Sequence, residues 1–340
     1  AEIILEEEVA VEDGVIIHAG GADKRCLLSR RVTIGHGAIV HARYLGPEAS
    51  IGMGAVLSLG CAIGAGSVVA ESALVPQGKS VPPETLVAGI PAKPLRPLDW
   101  REIYARRLCT PEQAAALIAP GDRIFAGGAG SFPAVLIDAV SDRAELRGIP
   151  VVTVVNGTES RALSDPVCFA RTPYHSLFLG RADRKFQQRG GLHENSVQFH
   201  QTVRAAREVY RVNTLMLEVS EPDANGYLYY GPRGTAWSSL DTQVEKRIYQ
   251  VNAFQQRTRG EHHRIHVSAL CRADHPLNTY HYKAPDALDA RIAAHILPLV
   301  RDGDTLQVGI GGIPNAVAYG LHGRKRLGIY TEVLTQAQLR

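Results

Sequence analysis

Between residues 28 and 87 an aliphatic side chain recurs at every sixth position. Ile51, Leu57, Ile63, Val69, Val75, Val81 and Val87 keep the step without a break. Leu28, Ile34 and Val40 keep it upstream, with one five-residue slip to Leu45. Small residues follow several of these positions: Gly35, Gly46, Gly52 and Gly64. An α-helix repeats about every 3.6 residues and a simple strand every ~2. A period of six fits neither. It fits a parallel β-helix in which each of three short sides sends one aliphatic residue inward, so a coil takes about 18 residues. Such a coil covers its apolar interior only by stacking on the next.

The same arithmetic places chemistry. His18 and His36 lie one such coil apart, so they are expected to stack at roughly the 4.8 Å spacing of adjacent strands. His41 falls near the next corner. Three neutral imidazoles make a three-ligand zinc site with an open position for water, suited to hydration or hydrolysis. Three exposed histidines among thirteen is the plainer alternative.

Composition narrows the class. A chain of 340 residues suggests about two domains. With 45% hydrophobic and 21% charged residues it is not a disordered chain. Lys plus Arg number 37 against 34 Asp plus Glu, a net +3, too balanced to suggest a nucleic acid or an anionic membrane as partner. No run approaches the roughly 18 apolar residues of a membrane helix. The five cysteines (Cys26, Cys61, Cys109, Cys168 and Cys271) are scattered and odd in number, which suits a reducing, cytoplasmic setting.

The period stops at Pro91, Pro94 and Pro97, which places a boundary near 97. Thr110-Pro111-Glu112-Gln113 then reads as a capping box opening a helix. Two later segments resemble each other. Gly121-Asp122-Arg123-Ile124-Phe125-Ala126-Gly127-Gly128 runs on to Pro133, and Gly303-Asp304-Thr305-Leu306-Gln307-Val308-Gly309-Ile310 runs on to Pro314. Each reads as turn, strand, glycine-rich loop and helix, a combination that lets backbone N–H groups approach an anion or acyl group. Apolar runs at 150–155 and 213–219 suit a buried parallel sheet, so this part is α/β. Glu261-His262-His263-Arg264 lies in a polar, aperiodic stretch and reads as surface.

Two family resemblances follow. Thr33-Ile34-Gly35-His36-Gly37-Ala38-Ile39-Val40-His41, with Glu12-Asp13-Gly14-Val15-Ile16-Ile17-His18 before it and Leu86-Val87-Ala88-Gly89-Ile90-Pro91-Ala92-Lys93 at the close, resembles the γ-carbonic-anhydrase-like branch of the hexapeptide-repeat family. That resemblance implies a left-handed β-helix, a trimer, and zinc held across a subunit interface by His18, His36 and His41. From Asp99 onward the chain resembles the acetyl-CoA hydrolase/transferase family. The matching stretches are Asp99-Trp100-Arg101-Glu102-Ile103-Tyr104, Ser220-Glu221-Pro222-Asp223-Ala224-Asn225-Gly226-Tyr227, Gln250-Val251-Asn252, Gly309-Ile310-Gly311-Gly312-Ile313-Pro314 and Leu327-Gly328-Ile329-Tyr330-Thr331-Glu332.

The second resemblance implies transfer of CoA between a short-chain acyl-CoA and an acetate-like carboxylate. Glu332 is the implied nucleophile, passing through a glutamyl-CoA thioester. The 309–312 turn, through Gly309, Gly311 and Gly312, would supply oxyanion or CoA contacts, and Gln250 and Asn252 would bind substrate or support the sheet. The expected layout is a left-handed parallel β-helix over 1–97, an α/β CoA-transferase domain over 98–283, and the start of a second, truncated α/β domain over 284–340. The chain does not begin with Met, and its second glycine-rich copy has little sequence after it. It is therefore expected to be cut at both ends and to have little activity alone. Its expected partners are acyl-CoA, a small carboxylate, and copies of itself or a subunit supplying the missing domain.

Overall fold

The six-residue period becomes three sheets of parallel strands wound into one coil, one of them closed by the antiparallel strand Lys93–Pro97. In this computed structural model the described residues are all but 21–24, 129, 189, 232–236, 242, 259–261, 279–283, 332 and 339–340, together with the side chains of 181, 262 and 264. Short strands follow one another round three sides, and each pairs with the strand one coil on. Glu2–Leu5 pairs with Arg25–Leu28, Ala10–Val11 with Thr33–Ile34, and Ile16–Ile17 with Ile39–Val40. Every aliphatic residue of the period from Leu28 to Val87 is at most 8% exposed. The glycine corners let the coils stack closely. A Cβ on Gly52 would lie 2.5 Å from the backbone of Glu71, and one on Gly64 would lie 2.4 Å from that of Pro83.

The coil length differs from the expectation at one place. Ile16 pairs with Ile39, Ile39 with Val56, and Val56 with Leu74, so successive steps are 23, 17 and 18 residues. The short step is the slip at Leu45. The long one comes from five extra residues between the interior positions Ile17 and Leu28, and with it the residue one coil from His18 is His41, 23 positions on, and not His36.

Residues 1–277 and 278–340 form two compact units. In the first, one outer side of the coil carries Val68 and Leu86, which pack on the α/β core that includes Leu98 and Ile103. Helix Trp100–Arg107 fixes this junction. Asp99 and Glu102 close its capping box, and Arg106 reaches back to the Gly66 carbonyl at 2.7 Å and to Ser50 Oγ at 2.5 Å. The capping box read at Thr110 and Gln113 opens helix Pro111–Ala115.

The α/β part is an eight-stranded, wholly parallel sheet. Across it the strands run Leu108–Cys109, Ala269–Arg272, Lys246–Val251, Thr214–Val219, Ile124–Ala126, Val151–Thr153, Tyr174–Ser176 and Leu192–Glu194. Both faces are covered by apolar clusters, which is why the central strands read as continuous apolar runs. The chain fills one half of the sheet from Ile124–Ala126 outward, then returns to the other side with Thr214–Val219. The strand order therefore reverses between these two strands.

The second unit holds helix Ala287–Ile296, capped by Asp286, then strand Thr305–Gln307, helix Gly312–Gly320 and strand Gly328–Tyr330. Its two strands pair in parallel. No described helix is long and apolar enough to cross a membrane.

Candidate functional site

In open parallel sheets ligands bind outside the carboxyl ends of the strands, where the strand order reverses. Here that point lies beyond Ala126 and Val219. The 127–131 turn folds over it. Gly127 N–H donates to the Met216 carbonyl at 2.9 Å, and Glu218 N–H donates to the Ser131 carbonyl at 2.8 Å. Two of its glycines are demanded by backbone: a Cβ on Gly127 would sit 2.4 Å from Ser131 O, and one on Gly128 only 1.7 Å from Val154 O.

Beneath the turn lies a buried polar cluster centred on Glu218, which is 2% exposed. Its Oε2 accepts from Gln250 Nε2 at 2.8 Å and lies 2.7 Å from His275 Nε2. Its Oε1 accepts from Asn252 Nδ2 at 3.0 Å and, more weakly, from Gln255 Nε2 at 3.4 Å. Burial pushes the Glu218 carboxyl above the usual glutamate value, while Asn252 and His275 pull in the opposite direction.

Gln250 and Asn252 therefore lie where the sheet reverses, but their hydrogen-bonding capacity is taken up inside the chain. Gln250 Oε1 also accepts the Leu136 N–H at 3.2 Å, near the start of helix Ala134–Asp142. Asn252 Oδ1 accepts the N–H groups of Phe254 at 3.0 Å and His275 at 3.3 Å. Of the two roles open to them, the geometry carries the supporting one. The residue at the centre, Glu218, was hidden inside the apolar run 213–219. An acidic residue in an otherwise apolar strand was the signal available in the sequence.

The second unit carries its own, shorter glycine-rich connection from strand to helix at 308–312. Gly311 has φ +141°, a backbone conformation in effect reserved for glycine. A Cβ on Gly312 would collide with the Asp289 carboxylate at 2.2 Å, whereas Gly309 has nothing nearer than Pro314 Cγ at 3.9 Å. Helix Gly312–Gly320 follows without a side-chain cap. Glu332 lies outside the described residues. Its neighbour Thr331 is held beside this turn, its hydroxyl donating to the Val308 carbonyl at 2.7 Å.

The three histidines of the coil do not converge within one chain. Because the first coil step is 23 residues, His18 meets His41, with ring centroids 5.1 Å apart, and not His36. His36 lies 3.8 Å from Glu12. Among the described residues no group of three His, Cys, Asp or Glu side chains can hold a metal ion, so a three-histidine zinc site does not fit this chain alone. His263, expected at the surface, points inward instead. Its Nε2 lies 2.8 Å from buried Asp241, which also takes the Tyr249 hydroxyl at 2.5 Å. All five cysteines are unpaired, and burial pushes the Cys61 and Cys271 thiols up to about 12.

No family model matches the chain. It is 28% identical over 243 residues to the 4-hydroxybutyrate coenzyme A transferase of Clostridium kluyveri, a match covering 70% of this chain and 56% of that protein. It is 36% identical over 110 residues to the carnitine operon protein CaiE of Salmonella agona, covering 32% of this chain and 55% of that protein. Among solved structures, RipA from Yersinia pestis aligns with a TM-score of 0.64 at 28% identity, over 71% of this chain and 59% of that one. The chain thus spans a little over half the length of these relatives. Over about 70% of its length it is a homologue of the CoA-transferases, and over 32% it is similar to CaiE, as a fusion of the two kinds of protein would be.

Proposed function

We propose that the chain carries CoA-transferase chemistry, exchanging CoA between a short-chain acyl-CoA and a small, acetate-like carboxylate. The observation that carries this reading is the 308–312 turn, a glycine-built strand-to-helix turn beside Thr331, in a chain with 243 residues aligned to a CoA-transferase. The Glu332 carboxylate attacks the thioester carbonyl and expels CoA thiolate, leaving a mixed anhydride. The thiolate attacks the glutamyl carbonyl of that anhydride, releasing the first carboxylate and leaving glutamyl-CoA. An acceptor carboxylate then attacks the glutamyl thioester. CoA thiolate leaves again and takes the new acyl group, and Glu332 is regenerated. Backbone N–H groups of Gly311 and Gly312 stabilise the developing oxyanions.

We take the first half-reaction to be within reach of the 340-residue chain and full turnover to be impaired, since the chain spans 56% of its relative. Treating it with acetyl-CoA, reducing with borohydride and analysing peptides by mass should find a modified Glu332, absent in Glu332→Gln. Acetyl-CoA consumed equally by both would sink this reading. The five unpaired cysteines favour a cytoplasmic setting.

A second reading concerns the coil, and the pairing of His18 with His41 favours it. The coil is left-handed and forms trimers, and zinc binds His18 and His41 with a further ligand from another copy. Ile16, Ile39, Val56 and Leu74 line one outer side opposite the buried interior residues, as an interface would require. Sedimentation and metal analysis test it: a monomer without bound zinc overturns it.

A further inference from the structure

A CoA-transferase must hold its carboxylate co-substrate, and the crevice where the large sheet reverses presents one group suited to the task. We propose that His275 is the ligand-facing donor for a small carboxylate there, with Glu218 as its positioning residue. This rests on the CoA-transfer reading above.

Hydrogen-bond polarity leads to it. The backbone fixes the orientation of the three amides around Glu218. Gln250 Oε1 receives the Leu136 N–H, Asn252 Oδ1 receives two backbone N–H groups, and Gln255 Nε2 gives to the Gly130 carbonyl at 2.7 Å. Each amide therefore turns its N–H toward Glu218. The carboxylate can only accept, so the nitrogen 2.7 Å away, His275 Nε2, donates to it. The other ring nitrogen, Nδ1, faces the Pro276 carbonyl at 3.1 Å, an arrangement in which the imidazolium form donates from both nitrogens.

The Pro276 contact is to the adjacent residue and is replaceable. A carboxylate oxygen in its place forms a charge-assisted bond of about 2.7–2.9 Å. The His275 side chain is 35% exposed, whereas Glu218 is sealed beneath it. Phe254 is 58% exposed, and its backbone N–H shares the Asn252 amide oxygen with the His275 N–H, so an exposed apolar side chain is anchored close to the same position. The rim cations are otherwise engaged. Arg272 is held by Asp274 at 2.7 Å and Glu221 at 3.0 Å, and Arg257 donates to the carbonyls of Glu221 and Pro222. With one donor aimed outward and the nearby guanidinium groups already paired, the ligand that fits is a small monocarboxylate with a short apolar tail.

The test is a titration of the 340-residue chain, labelled with ¹⁵N-histidine, with sodium butyrate at fixed pH and ionic strength, using butyramide as the uncharged control. The expected result is a saturable shift of His275 Nδ1 with butyrate and none with butyramide. In His275→Asn the apparent Kd rises at least tenfold. In Glu218→Gln the signature of a strongly hydrogen-bonded Nε2–H is lost and the Kd rises. If Glu218→Gln does not fold, His275→Asn decides alone. Butyrate that binds without moving His275, or binds His275→Asn equally well, overturns this assignment and leaves the CoA-transfer reading standing. Butyrate that binds nowhere overturns the assignment and weakens that reading too, while the borohydride experiment tests the nucleophile independently.

Discussion

The strand before the first glycine turn, Ile124–Ala126, is fully buried between two parallel neighbours, Val151–Thr153 and Thr214–Val219. The strand before the second, Thr305–Gln307, has one partner among the described residues, Gly328–Tyr330, and is largely exposed. The partner leaves Ile329 49% and Tyr330 76% exposed. Fully burying such side chains is worth roughly 1.5–3 kcal/mol each, a gain the second copy forgoes. Nearly the same words of sequence thus lead from a strand to a helix in both places, while the neighbours decide how tightly that connection is packed. In the first copy Gly127 and Gly128 are imposed by backbone atoms packed around them, while Gly130 has open space. In the second, Gly309 faces open space, and only Gly311 and Gly312 are constrained.

Four substitutions can break or sharpen that contrast. The largest effect belongs to Gly128→Ala, whose Cβ would meet the Val154 carbonyl and force the sheet apart. It should cost about 4 kcal/mol or more, read as loss of the cooperative urea transition. Next comes Glu218→Gln. An amide at that position turns an N–H toward other donors, so the first turn loses its support. About 2–3 kcal/mol is expected from thermal unfolding, and an unchanged or raised Tm would contradict the donor shell.

A smaller effect comes from the outer edge of the same sheet. His175 stacks on His193 at 4.7 Å, and burial, with the neighbouring ring, pushes its pKa down to about 4. The folded state then binds fewer protons than the unfolded state between about pH 6.5 and 4. Stability is present above that window and declines as pH falls through it. Allowing for solvent screening, the loss is roughly 1–2 kcal/mol, and His175→Gln should flatten it in unfolding curves at pH 7 and 5. Gly309→Ala closes the series. It should shift stability by no more than about 0.5 kcal/mol, and a large loss would mean the second turn is as tightly packed as the first.

What was legible in the sequence depended on how locally it was encoded. The coil interior could be read because each side supplies its own inward residue and the pattern restates itself. The capping box of Thr110 and Gln113 spans four residues and forms as read. The Glu218 cluster could not be read in this way. Its partners Gln250, Asn252 and His275 are 32, 34 and 57 positions away, and only the sheet order brings them together. The pairing of the coil histidines failed for a related reason. The slip at Leu45 is flanked by regular steps and shows itself, whereas the longer step after Ile17 precedes the first regular one.

That longer step gives the coil a property of its own. In a stacked solenoid, residues inserted at a corner change the sequence distance between stacked side chains and leave the stack itself in place. His18 and His41 directly follow the paired residues Ile17 and Val40, so they face each other although 23 positions separate them. Removing five of the residues between Ile17 and Leu28 would shorten that separation to 18 and keep the same two histidines together. The wall of this coil is thus insulated from changes in corner length, and its chemistry is set by which residues flank the ladder.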